Sequence, residues 1–207
     1  LGVPPVLLEW VTAEDGLILV TGATGSGKST TLAALVDALN RQQARHIITL
    51  EDPIEFIHHS QQSLIQQREI GLHCGSFSLG VKAALREDPD VILLGELRDS
   101  DTIRQALTAA ETGHLVLATL HTRGAAQAVD RLVDVFPAEE KQLVRTQLAG
   151  SLKAVWPALM AYFPEPVETR FGPAGLLRER IEAGEPCDLF ASASEEHPQK
   201  LLNAGRA

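Results

Sequence analysis

The chain has 207 residues, a formal net charge of −9 and 44% hydrophobic residues. That length allows one large domain, or one domain with an appendage, with a core large enough to need no disulfides or structural metal. The acidic balance argues against binding nucleic acid through the whole surface, and Cys74 and Cys187 are too few for a disulfide framework or a four-cysteine zinc site. A reducing, cytoplasmic setting is the default expectation. No apolar run approaches the roughly 20 residues of a membrane helix, so no direct membrane insertion is expected.

The first nine residues open on Gly2-Val3-Pro4-Pro5, a linker-like start. Residues 6–10 read as a short helix, and 12–16 as a turn carrying Glu14 and Asp15. Leu17-Ile18-Leu19-Val20 is a short apolar run, expected to form a buried strand. Directly after it, Gly22-Ala23-Thr24-Gly25-Ser26-Gly27-Lys28-Ser29, followed by Thr30, fits the phosphate-cradling pattern G-x-x-x-x-G-K-[ST]. Leu32, Leu35, Val36 and Leu39 then recur at helical spacing.

Strand, glycine loop and helix thus follow in the order the pattern requires. Glycine lets the backbone close around phosphate oxygens because it tolerates positive φ and has no Cβ. The loop N–H groups and the helix N-terminus present partial positive charge to a β-phosphate. Lys28 would reach the β- and γ-phosphates, and the Ser29 hydroxyl would ligate Mg²⁺. The plain alternative is a glycine-rich turn that starts a helix by chance. Four fixed positions flanked by the right elements make it the weaker reading.

His46-Ile47-Ile48-Thr49-Leu50 is a second strand, rich in β-branched residues. It runs into Glu51, Asp52 and Glu55, three carboxylates at the strand end where α/β folds bind ligands. A solvated turn broken by Pro53 is the alternative. Residues 60–74 are polar and glutamine-rich, carry Arg68 and Glu69, and receive no assignment. Residues 77–87 read as a helix through Val81, Ala84 and Leu85, broken by Asp88-Pro89-Asp90. Val91-Ile92-Leu93-Leu94-Gly95-Glu96 is a continuous apolar strand ending in an acid, as a Walker B segment does. Gly95 holds the usual aspartate position, so Glu96 would hold Mg²⁺ through water, polarise the attacking water, or do both.

Residues 99–111 form the next expected helix, with Asp99, Ser100 or Asp101 as N-cap and Gly113 as the stop. The fourth strand, 115–120, is bounded by His114 and His121. These lie at opposite ends of the strand and cannot share one metal ion. His121, at the ligand-binding end, is placed to sense a γ-phosphate, whereas His114 reads as structural by geometry. Residues 124–135 are expected to be helical. Another helix should start at Pro137 and continue through Leu143, Leu148, Leu152 and Val155. Strand–helix alternation predicts a right-handed, mostly parallel α/β sheet. From Trp156 onward prolines accumulate; 176–183 is the one periodic stretch, and 185–207 reads as disordered.

Four stretches together carry a family resemblance: GATGSGKST (22–30), ITLEDPIEF (48–56), LREDPDVILLGELRD (85–99) and GHLVLATLHT (113–122). They resemble the Walker A, Asp box, Walker B and His box of the secretion ATPase superfamily (GspE/PilT). That superfamily serves type II secretion, type IV pilus assembly and pilus retraction. FPAEEKQLVRTQLAGSLKAV after the His box is most similar to the retraction, or twitching-motility, branch. The four-cysteine zinc motif usual in assembly and secretion members is missing there.

The resemblance implies a RecA-like P-loop NTPase core over 1–155, acting as a hexameric ring that hydrolyses ATP with Mg²⁺. It implies work on an inner-membrane platform protein, with the chain peripheral to that membrane through partners. Residue by residue, 22–30 would hold the nucleotide, and Ser29, Glu51, Asp52 and Glu96 would serve the metal. Glu96 would be the catalytic acid, with Glu55, His121 and His114 contributing. Arg68 and Arg86 match family arginines without an assigned role.

Two departures qualify this. The family's N-terminal PAS-like domain, which supplies arginines across the subunit boundary, is expected to be absent here. Residues 156–207 form a divergent, partly disordered tail without the family's strand, hairpin and helical cap. A frameshifted or otherwise altered gene segment is the expected origin, testable by reading the coding DNA in the other frames. The competing readings are a nucleotide-binding paralogue with little turnover, a type II secretion or pilus assembly ATPase, and a RecA-type nucleic-acid motor. The acidic charge and the lack of an aromatic–basic stretch disfavour the last.

Overall fold

Every strand pairing is parallel, and the strand order brings the glycine loop beside the acidic strand ends. The computed structural model describes residues 5–122 and 124–158. In chain order these form α1 (Pro5–Trp10), β1 (Gly16–Thr21), α2 (Lys28–Gln42), β2 (His46–Glu51), β3 (Leu64–Glu69) and α3 (Phe77–Ala84). Then follow β4 (Val91–Leu94), α4 (Ser100–Glu111), β5 (Leu115–Leu120), α5 (Ala125–Asp134), α6 (Lys141–Ser151) and β6 (Leu152–Pro157). The sheet order is β3-β2-β4-β5-β1-β6. This is the α/β architecture with a parallel sheet that strand–helix alternation predicts.

The four inner strands read as largely apolar runs, interrupted by the buried Thr49 and Thr119, because both faces are covered. On one face Leu17, Leu19, Ile48, Leu50, Ile92, Leu94, Val116 and Ala118 pack with residues of α3, α4, α5 and α6. On the other, Ile18, Val20, Ile47, Val91, Leu93, Leu115 and Leu117 pack with α1 and α2. Successive residues of each strand alternate between the two cores, as the two-residue period of a pleated strand demands. An edge-to-face contact of Trp10 on Trp156, with ring centroids 6.0 Å apart, joins α1 to β6.

Three local expectations change. The helix expected from Pro137 through Val155 begins at Lys141 and ends at Ser151, and 152–157 are the edge strand β6. Leu152 and Val155 fit a helical spacing, but Ala154 and Trp156 are the buried pair, two residues apart, against β1. Pro157 is tolerated because an edge strand loses no central ladder bond. The unassigned stretch holds the opposite edge strand, β3, whose polar LIQQRE is only partly covered. The helix at 77–87 closes at Ala84. Of the tail expected at 156–207, only 156–158 are described; the rest, including the helix at 176–183, lies outside the described residues.

The β2–β3 connection, residues 52–63, is a parallel crossover without a helix. Its far end is fastened by Asn40, a side chain on α2 only 1% exposed. Asn40 Nδ2 donates to His59 O (2.8 Å), Oδ1 accepts from Gln61 N (2.8 Å), and the Asn40 backbone O accepts from Gln62 N (2.9 Å). Removing that amide leaves a part-buried carbonyl and N–H without their partner and empties the buried Asn40 position, a loss of about 1–3 kcal/mol. Asn40→Ala should therefore lower unfolding free energy in urea by about that much. Leu79→Ala, at a mostly exposed site, should change it by less than about 0.5 kcal/mol. Equal effects would contradict the anchoring role of Asn40.

Candidate nucleotide-binding site

The C-terminal ends of β1, β2, β4 and β5 open into one cleft of about 400 Å³. Its walls include Thr24, Gly25, Gly27, Lys28, Ser29 and Thr30 from the glycine loop. Glu51, Asp52 and Glu55 come from the β2 end, Glu96 from the β4 end and His121 from the β5 end. Topology explains the convergence: parallel strands deliver the residues that follow them to the same sheet edge.

The loop leaves β1 at Gly22, whose φ is 153°; a Cβ there would stand 2.3 Å from Ser26 Oγ. Gly27 caps α2 in the left-handed region, φ 90°, without a side-chain hydrogen bond to the first turn. That leaves the first-turn N–H groups of α2 to an incoming anion. Ser26 Oγ is buried and, among the described residues, has no partner. Ala23 accepts through its carbonyl, so Gly22 and Ala23 together hold the lysine head.

Lys28 is only 7% exposed. Its Nζ donates to Gly22 O (3.0 Å) and Ala23 O (2.8 Å). Burial holds its pKa below the usual lysine value, while Glu96 and then Glu55 push it back up. The ammonium is thus partly desolvated and held by neutral carbonyls, a state that phosphate oxygens improve on. Ser29 Oγ donates to Glu55 Oε1 at 3.0 Å, joining the helix start to the β2–β3 crossover.

Glu96 is 8% exposed. One carboxylate oxygen meets the Arg98 guanidinium, and the other lies 3.5 Å from His121 Nε2. Thr119 brackets it through the backbone: its hydroxyl donates to Gly95 O, and its carbonyl accepts from Leu97 N at 3.1 Å. Gly95 continues the ladder by donating to Leu50 O at 2.8 Å; a Cβ there would meet the β2 backbone at 3.4–3.5 Å. Glu51 Oε1 accepts from Thr49 Oγ1 (2.7 Å) and Gln67 Nε2 (3.0 Å). Asp52 is exposed at the rim. His58, also in the wall, has its pKa lowered by burial against the opposing pull of Glu51 and Asp37.

His114 stands apart. The six residues of β5 separate it from His121, seven steps or about 23 Å at strand rise. Its Nδ1 lies 3.1 Å from Ala109 O and 3.3 Å from Thr112 Oγ1, at the C-terminal end of α4. Arg68 also lies away from the cleft, bound through Nη2 to both carboxylate oxygens of Glu87 (2.8 and 2.7 Å). Sequence reasoning missed Thr119, Arg98 and Gln67. Thr119 had a faint signal, as a hydroxyl inside an apolar strand.

The donors around Ser29 are hydroxyl and carboxylate oxygens, the chemistry Mg²⁺ prefers. Among the described residues no group of three or more His, Cys, Asp and Glu could hold a metal ion. One or two protein ligands beside phosphate oxygens are how Mg²⁺ is usually held with nucleotides, so this set fits such an ion.

The chain is similar to known proteins over most of its described residues. The family model described as type II/IV secretion system protein matches residues 5–160. A second model, bacterial extracellular solute-binding protein, matches 118–207, less than half of the chain. The chain is 75% identical over 155 residues to an uncharacterised Escherichia coli K12 protein, YggR, covering 75% of this chain and 48% of that one. It is 58% identical over 155 residues to the type IV pilus retraction ATPase PilT of Pseudomonas aeruginosa, covering 75% and 45%. The crystal structure of the pilus retraction motor PilT with bound ADP superposes with a TM-score of 0.72 at 50% identity, over 75% of this chain and 45% of that one. The chain therefore spans about half the length of the relatives it matches. The first model's match runs from α1 to just past β6 and takes in the glycine loop and all three acidic or histidine-bearing strand ends: the chain belongs to the type II/IV secretion system protein family.

Proposed function

We propose that this chain binds ATP with Mg²⁺ in the strand-end cleft and hydrolyses it as the motor core of a type IV pilus retraction ATPase. The observation that carries the reading is the convergence of Lys28, the Ser29–Glu55 pair and the Glu96–His121 pair in one cleft. The 58% identity to PilT supports the retraction class. The core is proposed to comprise residues 1–155 and to work in the cytoplasm as a homo-hexamer against an inner-membrane platform protein.

In this reading Lys28 leaves the Gly22 and Ala23 carbonyls for the β- and γ-phosphates, joined there by the free N–H groups of α2. Ser29 and Glu55, with Glu51 and Asp52 behind them, would hold Mg²⁺, which would supply positive charge to offset that of the phosphates. Glu96 accepts the proton of the attacking water as its oxygen bonds to the γ-phosphorus and the bond from that phosphorus to the β–γ bridging oxygen breaks, leaving ADP and phosphate. Its buried carboxylate is steered by His121, and Arg98 is freed to face the departing phosphate. His114 takes no step within a single copy.

Glu96→Gln keeps the shape and removes the base. Phosphate release at saturating Mg-ATP should fall by about 10²-fold or more, with nucleotide affinity retained. Equal rates for the two proteins would contradict hydrolysis at this site and leave a nucleotide-binding chain without turnover.

Lys28 supplies a pH signature. Its folded-state pKa is depressed below 10.5 by burial, so it holds its proton less firmly than an exposed lysine. Bound phosphate raises that pKa again. ADP binding should therefore take up a proton in the alkaline range below the usual lysine value, and weaken as pH rises through it. Calorimetry in buffers of different ionisation enthalpy reads the uptake, which Lys28→Met should abolish. No proton linkage in that range would contradict contact between Lys28 and phosphate.

A further inference from the structure

The β3 edge strand carries a side chain that the proposed chemistry does not use. Gln67 pairs in register with Thr49 of β2, so the two side chains share one face of the sheet. From there Gln67 Nε2 donates to Glu51 Oε1 (3.0 Å) and to Phe56 O (2.8 Å), while its Oε1 accepts from His58 N (2.8 Å). Both amide protons and the carbonyl are engaged. The orientation is fixed by chemistry: a flipped amide would set its oxygen against a carboxylate and a carbonyl, and its NH₂ against an N–H. One position further on that face, Glu69 Oε2 accepts from Ile54 N at 3.0 Å.

These bonds grip the crossover at 54, 56 and 58, on both sides of Glu55. Glu55 itself is exposed, and its described hydrogen bond is the one it accepts from Ser29 Oγ. An exposed carboxylate on a helix-free loop has no packing of its own to hold it at 3.0 Å from a helix N-terminus. Gln67 fixes the backbone on one side of it and orients Glu51 with the same amide.

We propose that Gln67 is a positioning residue for the metal side of the site, setting Glu55 on Ser29 and Glu51 behind it by clamping the backbone at 56 and 58 to the sheet edge. This rests on the proposed role of Ser29 and Glu55 toward Mg²⁺. A plain edge-strand role for Gln67 would predict that losing it weakens the fold and nucleotide binding without regard to metal. Positioning predicts a selective loss, because the glycine loop and Lys28 are held by separate bonds.

The test uses the full chain and ADP as probe. Gln67→Met keeps length and volume and removes all three bonds. ADP affinity in EDTA should stay within about twofold of the parent, while the gain in affinity on adding Mg²⁺ should shrink by about 10-fold, the usual scale for partners that orient a ligand. Exchange of the His58 amide should quicken. In a Glu55→Gln background the same change should have no further effect on the Mg²⁺-dependent gain, since the partner it positions is already lost.

An equal fall with and without Mg²⁺, an unchanged Mg²⁺ gain, or additive effects in the double variant would each overturn the proposal. If Gln67→Met does not fold, Gln67→Glu serves: it keeps the acceptor for His58 N, loses both donors and sets a charge beside Glu51. An undiminished Mg²⁺ gain in that variant would equally overturn it. Absence of ATP turnover in the parent chain would count against the hydrolytic function alone, because the ADP measurements need no catalysis.

Discussion

Parallel pairing of all six strands is the constraint on which the site depends. In a parallel sheet every strand ends at the same edge, so whatever follows the strands is gathered there before any side chain is chosen. The order β4-β5-β1 then decides which groups meet. It sets the Glu96 turn, His121 and the glycine loop on adjacent strand ends. β2, on the far side of β4, brings its acids across by the crossover of residues 52–63. Continuous apolar sequence maintains this arrangement, because each inner strand needs both faces covered, and the two cores divide its residues alternately.

The cleft holds its charges by mutual pairing. Lys28 rests on loop carbonyls, Ser29 on Glu55, and Glu96 on Arg98 and His121. A hydrogen bond to a charged group contributes about 1.5–3 kcal/mol where it is buried, as at Lys28, and less where water screens it, as at the exposed Ser29–Glu55 pair. In the proposed function a nucleotide with Mg²⁺ would exchange these contacts: phosphate would take the place of the carbonyls at Lys28, and the Ser29 hydroxyl would turn from Glu55 to the metal. The gain would come chiefly from the desolvated ammonium, which would meet opposite charge in place of dipoles.

Much of this was legible in the sequence, and the rest was hidden for identifiable reasons. β1, β2, β4 and β5 are buried on both faces and therefore print as apolar runs. The edges do not: β3 is written in glutamines and an arginine, and β6 shares Leu152 and Val155 with a convincing helical spacing. The acids could be found because strand-end position is a local property. Gln67 could not, and Thr119 only faintly, because their roles arise from register with strands distant in sequence. His114 shows the opposite hazard. Strand geometry reads it as structural while the motif resemblance gives it a part along with His121, and β5 holds the two histidines at opposite ends of one strand.

The central claim is that the glycine loop exchanges its own carbonyls for phosphate and its helix-start hydroxyl for metal. A crystal structure of this chain with ADP and Mg²⁺ tests it most directly. The account predicts Lys28 Nζ within hydrogen-bond distance of the β-phosphate and released from Gly22 O and Ala23 O, with Ser29 Oγ on the metal. ADP seated elsewhere, or bound in the cleft with Lys28 still on those carbonyls and Ser29 still on Glu55, would contradict it.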